Sequence, residues 1–390
     1  MRDKIKINIV VGGTFHIAML VEKLENLGYD VKIYTSTPKF KFKKESFYDQ
    51  VVYIPMLFQM YRKISKRLIS SNMKYFDKIL FDKIVSLVMR RCDVLYGFAG
   101  ASLFSGQKTL SQGGRYLLDR ACPHIEFQNS LLKIESRILN VKYLELGRAM
   151  IKRCLEEYDS ADRIIVPSNY SEKTFLERGF SGGKIKVAPL EAKILTPSEK
   201  NFKNFKKKEI IFCSVGGGLL RKGFLYLLRA WDNIQLKNSK LYLKTNKREL
   251  EQNEEMFQIL QKNKNIIFHG YYEDINDFYN QCDVFCIPSI DDGFGMVVPE
   301  AMANSLPCIV TENVGASSLI RNSENGFVVP IQAEKEIETA LEYFYNNRSE
   351  VKRMGQKAYK DYLLYIKNNN YQDSLNKALA CTYDEDGVKS

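Results

Sequence analysis

Two spacings of apolar residues alternate along this chain. Short apolar runs ending in glycine or proline give way to stretches where apolar positions recur every three to four residues, the pattern of strands interleaved with amphipathic helices. Lys4–Val11 starts as an alternation, becomes wholly apolar and ends in Gly12-Gly13, which predicts a first strand and a tight loop. Ile17, Leu20, Val21, Leu24 and Leu27 then fall at helical spacing, with Thr14 able to cap that helix and Gly28 to close it. Val31–Tyr34 reads as the second strand and completes the β-α-β unit that opens a Rossmann-like sheet. Further strands are expected at Asp93–Phe98, in ADRIIVP before a turn at Pro167-Ser168, and at Lys184–Pro189, with helices over 143–159 and from that turn to Gly179. The rhythm resumes at Ile210–Val215. Phe224, Leu227, Leu228 and Trp231 follow at helical spacing, then strands at Leu241–Lys244 and Ile266–Phe268 with an acidic helix over 249–262 between them. Val284–Ile287, Pro307–Thr311 and Gly326–Val329 are the last strands, and helices are expected over 334–346 and 350–366.

Between the two arrays lies LEAKILTPSEKNFKNFKKK, residues 190–208, polar and rich in lysine, which marks a domain boundary. The expected organisation is an α/β chain with a Rossmann-like domain over 1–190, a linker over 191–208 and a second Rossmann-like domain over 209–368. The two parallel sheets would face each other across a cleft. The tail, 369–390, is expected to return over 369–382 as a helix packed on the first domain, with 384–390 frayed.

Composition narrows the class. A chain of 390 residues, 45% hydrophobic and 27% charged, can bury a two-domain core and reads as a soluble globular protein. No segment approaches the roughly eighteen uninterrupted apolar residues of a membrane span. MRDKIKINIVVGG enters the first strand without the apolar core and cleavage site of a signal peptide, so a cytoplasmic location is expected. Eight cysteines without a C-x-x-C pair read as buried reduced thiols. The charge is uneven. Residues 39–91 hold thirteen Lys or Arg against four Asp or Glu, a net +9 of the chain's +12, with ten aromatics between them. Leu57, Tyr61, Ile64 and Leu68 share one helical face with Arg62, Lys63, Lys66 and Arg67 largely off it, and Phe76, Leu80, Ile84 and Leu87 repeat the pattern. A basic amphipathic helix pair fits peripheral attachment to an anionic membrane surface. A solvated face over an ordinary core stripe is the alternative. No nucleic-acid-binding motif accompanies the charge, so nucleic acid is not an expected partner.

The candidate chemistry lies in SIDDGFGMVVPEAMANSLPCIVTENVGASSLI, residues 289–320, which reads as a loop, a helix and a strand. Gly293 and Gly295 let the chain turn sharply and leave neighbouring amides uncovered, and Pro299 pre-sets a helix start. Amides converging before a helix form an anion site, with phosphate the usual occupant. Glu300, in the helix's first turn, is an acceptor for a pair of sugar hydroxyls. An acidic first turn in any α/β domain is the plainer alternative. A second candidate is GGGLLRKGFLYLLRAW, residues 216–231, where cations at Arg221 and Lys222 stand beside glycine-exposed backbone and can clamp phosphate. It is not a P-loop, since no Gly-Lys-Ser/Thr ends it. The Gly-x-Gly-x-x-Gly fingerprint is missing after the first strand, which argues against a dinucleotide there. His16, next to that loop, is a helix-start residue or a ligand. Asp119, Arg120, His124, Glu126 and Gln128 form a polar cluster where an apolar run ends.

The spacing from Asp292 to Glu300, with G-F-G between and A-M-A after, resembles the donor motif of the family four retaining glycosyltransferases of the GT-B fold, as does FHGYYEDINDFYNQCDVFCIPSI upstream. The resemblance extends with gaps over most of residues 8–365. It implies that Asp292 touches the donor sugar, that Glu300 holds the ribose hydroxyls, and that the amides between meet phosphate and sugar. It also implies that Arg221 and Lys222 neutralise the diphosphate, that Tyr271 borders the base, and that His124 lies against the sugar, for which a structural histidine is the alternative. Three positions depart from the family: Asp292 where Glu is usual, Gly217 where an arginine is, and Leu190-Glu191-Ala192 where Gly-Val-Asp is. The expected catalytic set is Arg221, Lys222, Asp292 and His124. The expected donor-binding set is Gly13, Gly217, Tyr271, Gly293, Phe294, Gly295, Met296, Val297 and Glu300. The implied reaction moves a sugar, with retention, from a nucleotide diphosphate sugar to a hydroxyl of a saccharide or lipid-linked acceptor in surface polysaccharide or glycolipid assembly. Neither cofactor nor metal is expected, although Asp291-Asp292 could be read as a metal pair. A GT-B epimerase or phosphorylase, or a non-catalytic partner of a glycosyltransferase, are the rival readings.

Overall fold

A computed structural model describes residues 4–13, 16–39, 49–56, 71–141, 147–192, 209–270, 272, 274–369 and 371–380. Strands β1 (Lys6–Val11), β2 (Asp30–Thr35), β3 (Val51–Tyr53), β4 (Val94–Phe98), β5 (Arg115–Asp119), β6 (Arg163–Val166) and β7 (Ile185–Val187) form one parallel sheet in the order β3-β2-β1-β4-β5-β6-β7. Strands β8 (Ile210–Val215), β9 (Ser239–Lys244), β10 (Ile266–Phe268), β11 (Val284–Ile287), β12 (Cys308–Thr311) and β13 (Gly326–Val329) form a second, in the order β10-β9-β8-β11-β12-β13. Helices cover both faces of each sheet, so the central strands are buried on both sides and read as continuous apolar runs. β4 and β11 are buried at every residue.

Each sheet reverses its strand order once, between β1 and β4 in the first and between β8 and β11 in the second. The loops leaving the carboxyl ends of those strands diverge around the reversal and open a crevice, which is where such sheets take ligands. The loops concerned are Gly12-Gly13 and 99–102 in the first domain, and 216–223 and 288–296 in the second. Both phosphate-binding stretches predicted from sequence therefore leave the two strands that flank one switch point.

The chain closes on itself. The helix Arg348–Asn368 runs back along the second domain, where Tyr362 donates from its hydroxyl to Ala192 O at 2.8 Å. The last described helix, Tyr371–Ala380, lies on the first domain: the Tyr371 amide donates to Glu191 Oε1 at 2.7 Å, and its ring meets His16 edge-on. A second strap is the helix Ile125–Ile138 of the first domain, whose far end is embedded in the second. Buried Glu135 accepts there from Tyr226 Oη at 3.0 Å and Gln332 Nε2 at 2.8 Å, and Leu139 O accepts from Asn253 Nδ2 at 2.7 Å.

Two expectations need correction. The helix Ser71–Val88 buries Phe81 and Val85, not the stripe Phe76, Leu80, Ile84 and Leu87. Phe76 is 56% and Leu87 79% exposed. The phase is set by Asp82, which caps the neighbouring helix Leu103–Ser111 by accepting from Phe104 N and Ser105 N at 2.8 and 3.1 Å, so the side carrying Asp82 must face inward. Within the basic segment, Val51–Tyr53 is an edge strand. The acidic helix over 249–262 is two helices, Lys247–Leu250 and Glu254–Lys262, because Asn253 breaks the run and its side chain caps the second through Met256 N. Residues 57–70, with Arg62, Lys63, Lys66 and Arg67, lie outside the described residues. Among the described residues, all seven cysteines are free and six are buried. None of the described helices is long and apolar enough to cross a membrane.

Candidate active site

The loop after β11 turns twice on glycine. Gly295 has φ of 81°, in the left-handed region open to glycine, and a Cβ there would come within 2.6 Å of Val314 Cγ1. Gly293 is needed for a different reason. A Cβ on it would stand 2.2 Å from Ala121 O, so the loop's backbone presses directly on the first domain. Ser168 Oγ and Ser171 Oγ, at the start of the helix Asn169–Leu176, donate to Gly293 O at 2.5 and 3.2 Å. The short helix Val297–Ala303 follows, beginning two residues before Pro299. The described hydrogen bonds assign no protein acceptor to the amides of Phe294, Gly295, Met296 and Val297. The Phe294 ring is buried in the core, so its amide is what it offers a ligand.

The two candidate stretches meet. Lys222 Nζ donates to Asp292 Oδ2. Its stem lies along Gly216, where a Cβ would be 3.1 Å from three of its carbons. Arg221 Nε stands 3.4 Å from Asp291 Oδ2, an ion pair by distance without the alignment of a hydrogen bond. Asp291 is fully buried, and it also accepts from two first-domain groups, Gln128 Nε2 at 2.5 Å and Tyr170 Oη at 3.2 Å. It thus ties the cleft together while aiming Arg221. Tyr170's phenol is pushed well up, chiefly by burial and then by Asp291, so it is a donor throughout the working range of pH.

Glu300 lies beside Tyr279, whose hydroxyl donates to Oε2 at 3.0 Å. Burial raises its carboxyl pKa and the tyrosine bond opposes the rise. One oxygen is thereby fixed and the other remains for a ligand. Past β10, where the base is expected, Lys244 Nζ donates to Gly270 O at 2.8 Å and lies 5.5 Å from the Tyr272 ring centre, while His269 Nδ1 is 2.7 Å from Tyr272 Oη. Tyr271 itself lies outside the described residues. Gly217 is exposed, and a Cβ there would meet nothing within 4 Å. Gly13 ends the first strand's loop across the cleft, next to His16, whose Nε2 pairs with Asp119 Oδ2 at 2.8 Å.

His124 is placed apart from this cluster. Its ring is 1% exposed and packs on Tyr158, Phe175 and Phe180 at centroid distances of 5.2, 5.0 and 5.7 Å. Nδ1 caps the helix Ile125–Ile138 by accepting from Glu126 N at 3.3 Å. Burial pushes its pKa down to about 3, with Arg178 and Arg120 pushing the same way. These contacts are those of a structural histidine of the first domain. Sequence reasoning, for its part, missed the roles of Gln128, Tyr170, Ser168 and Ser171, which reach the 291–293 loop from over a hundred residues away.

Two Rossmann-like domains meeting over a glycine loop, a cation pair and an acidic first turn define the GT-B class. Residues 196–361 match the family Glycosyl transferases group 1. The chain is 29% identical over 197 residues to an uncharacterized glycosyltransferase of Haemophilus influenzae, covering 50% of this chain and 55% of that one. It is 36% identical over 90 residues to the capsular polysaccharide biosynthesis glycosyltransferase CapM of Staphylococcus aureus, covering 23% and 24%. The matches therefore span about half or less of these relatives. The fold agrees over nearly the whole chain with Anabaena HepE solved in complex with UDP: TM-score 0.69, 14% identity, 97% of this chain and 100% of that one.

Proposed function

We propose that the protein is a retaining glycosyltransferase that moves a sugar from a nucleotide diphosphate sugar to an acceptor hydroxyl in bacterial surface polysaccharide or glycolipid assembly. The observation that carries this reading is the convergence of Lys222, Asp292 and the uncovered 294–297 amides at one switch point. The leaving group would be a nucleoside diphosphate, so the barrier lies in charge growing on phosphate oxygens. Arg221, Lys222 and those amides supply preorganised positive charge where it grows. Glu300 would take the ribose hydroxyls with its second oxygen, and Asp292, held by Lys222, would meet the transferred sugar. The names of CapM and HepE's bound UDP favour a nucleotide sugar donor and polysaccharide assembly.

A role at an anionic membrane surface is part of the proposal, supported by the +9 charge of residues 39–91 and the outward Phe76, Leu87 and Val88 of the helix Ser71–Val88. Replacing Arg62, Lys63, Lys66 and Arg67 by Gln is expected to weaken sedimentation with anionic liposomes; undiminished binding would rule this role out. The main test is thermal shift against a panel of nucleotide sugars, followed by NMR of the product's anomeric configuration with the donor found. Saturation at a hundred times Kd stabilises by about 2.7 kcal/mol. Inversion at the anomeric carbon, or no shift with any donor, would overturn the reading.

A further inference from the structure

Arg221 and Lys222 are not the cleft's last cations. Arg120 leaves the end of β5 on the first-domain side and gives Nε to Pro123 O and Nη2 to Gln128 Oε1, both at 3.0 Å. Neither acceptor is charged. Gln128 in turn gives its amide to Asp291, the carboxylate that Arg221 already uses, so one buried acid serves two guanidiniums. Lys78, from the helix Ser71–Val88, extends to the same edge. Its Nζ lies over Gly100, 3.3 Å from where a Cβ would be, with Met150 Sδ and Cys154 Sγ at 3.5 and 3.8 Å from that point. Gly100 follows β4, so Lys78 and Arg120 stand over the carboxyl ends of adjacent strands beside the first domain's switch point.

The Lys78 ammonium is partly buried, and the described residues give it no hydrogen-bond or ion-pair partner. Of the groups that favour its charge, Cys154 comes first and Glu157 second, and Glu157 is taken up by the amides of Gly100 and Ser102 and by Arg153. Burial, then Arg120 and Arg153, oppose the charge on Lys78, and Arg120 likewise opposes that on Arg221. Three cations thus run in a row from the second domain's clamp into the first domain, with one carboxylate directly paired among them. Gathering like charges in a half-buried cleft costs free energy, and an incoming anion removes that cost.

We propose that Lys78 and Arg120 form an acceptor subsite for a phosphate ester, so that the acceptor is a sugar phosphate or sugar diphosphate and not an uncharged saccharide. This rests on the reading of the second domain as the donor side. Arg120, held by two neutral acceptors, is preoriented for two phosphate oxygens, and Lys78 supplies a mobile point charge. A lipid-linked sugar diphosphate and a free sugar phosphate present the same group.

The test is calorimetric titration of the protein saturated with the best-binding nucleoside diphosphate of a four-base panel. The probes are glucose, glucose 1-phosphate and a short-chain prenyl diphosphate-linked glucose in detergent. Glucose 1-phosphate is expected to bind at least about tenfold more tightly than glucose, the scale of one charge-assisted contact. Lys78→Met should abolish that preference and Lys78→Arg should keep it, with nucleoside diphosphate affinity within about twofold of wild type in both. A prenyl-linked probe about tenfold tighter than glucose 1-phosphate identifies a lipid-linked acceptor, and equal affinity a free one. Equal binding of glucose and glucose 1-phosphate by the wild type, which needs no variant to fold, overturns the proposal. So does a Lys78→Met protein that retains the preference, or one that loses nucleoside diphosphate and sugar phosphate alike, which would assign Lys78 to the donor. If no nucleoside diphosphate binds, the proposed function fails, while a phosphate preference lost in Lys78→Met would still uphold this subsite.

Discussion

Lys222 and Asp292, 70 positions apart in sequence, are bound through Nζ and Oδ2, and each is largely shielded from solvent at 13% and 15% exposure. The pair sets two things at once. It holds the ammonium beside the loop after β11 with its stem along Gly216, and it keeps a carboxylate at the proposed phosphate site. Under the proposed function a donor diphosphate would draw Lys222 away from Asp292, leaving Asp292 free to accept a sugar hydroxyl. Donor binding and sugar contact would then be coupled through one bond.

That coupling predicts how variants divide. Lys222→Ala removes positive charge from the leaving group in a partly dry cleft, and kcat is expected to fall about 10²- to 10³-fold with the melting temperature little changed. Asp292→Asn should lower mainly kcat. Glu300→Gln should raise mainly donor KM, because ribose is held equally in ground and transition states. Full steady-state kinetics with activity retained in excess EDTA would fit these roles. An enzyme that dies in EDTA and recovers with Mg²⁺ would transfer them to a metal.

Gly217 offers a gain of function. It is exposed, has no backbone strain to relieve, and a Cβ there would touch nothing within 4 Å. Gly217→Arg should therefore be tolerated within about 0.5 kcal/mol of stability. A second guanidinium beside Arg221, facing the diphosphate, is expected to lower donor KM by about tenfold. Unchanged donor affinity in a folded Gly217→Arg protein would show that the loop does not face the diphosphate.

How much of this was legible in sequence follows from how local each feature is. The alternation of apolar runs and helical spacing placed most strands within a residue or two, since a strand buried on both faces leaves a continuous apolar run such as Val284–Ile287. The donor loop was legible because its glycines, acids and helix start lie within one short stretch. The groups that close the cleft were not. Gln128 and Tyr170 meet Asp291 across 163 and 121 positions, and no local spacing announces such a contact. The helix Ser71–Val88 was misphased because its inward face carries Asp82, a charge that capping and pairing with Arg153 make tolerable inside. His124 had a residue type fit for catalysis, but what surrounds it depends on Tyr158, Phe175 and Phe180, drawn from elsewhere in the chain.

His124 makes a prediction of its own. Its pKa in the fold, about 3, lies below the ordinary 6.5 because burial opposes the charged ring. The unfolded chain therefore takes up the proton first. The contribution to stability is full above about pH 6.5 and is lost as pH falls from there toward 3, at no more than about 1.4 kcal/mol per pH unit. His124→Asn keeps a capping acceptor but does not ionise. Its melting temperature should be lower than wild type near neutral pH and should fall less steeply on going to about pH 5. A variant with an unchanged melting profile and a lowered kcat would instead return His124 to the donor sugar.

Gly293 tests whether the closed cleft is needed for activity. The atom an added Cβ would strike, Ala121 O at 2.2 Å, belongs to main chain and cannot swing aside as a side chain would. Gly293→Ala must therefore shift the donor loop or part the domains, at a cost of roughly 1–3 kcal/mol confined to the contact. Each domain keeps its own parallel sheet, so the protein is expected to fold. The Ser168 and Ser171 bonds to Gly293 O would lengthen, and Asp291 would lose alignment with Gln128 and Tyr170. A displacement of about 1 Å in a catalytic constellation costs on the order of 10²-fold in rate. Activity should fall by that order, and small-angle scattering should show a larger radius of gyration. Gly217→Ala, placed in open space, is the control and should change neither. A Gly293→Ala protein as active and as compact as the wild type would show that the loop has room to yield, and that contact with Ala121 does not position the site.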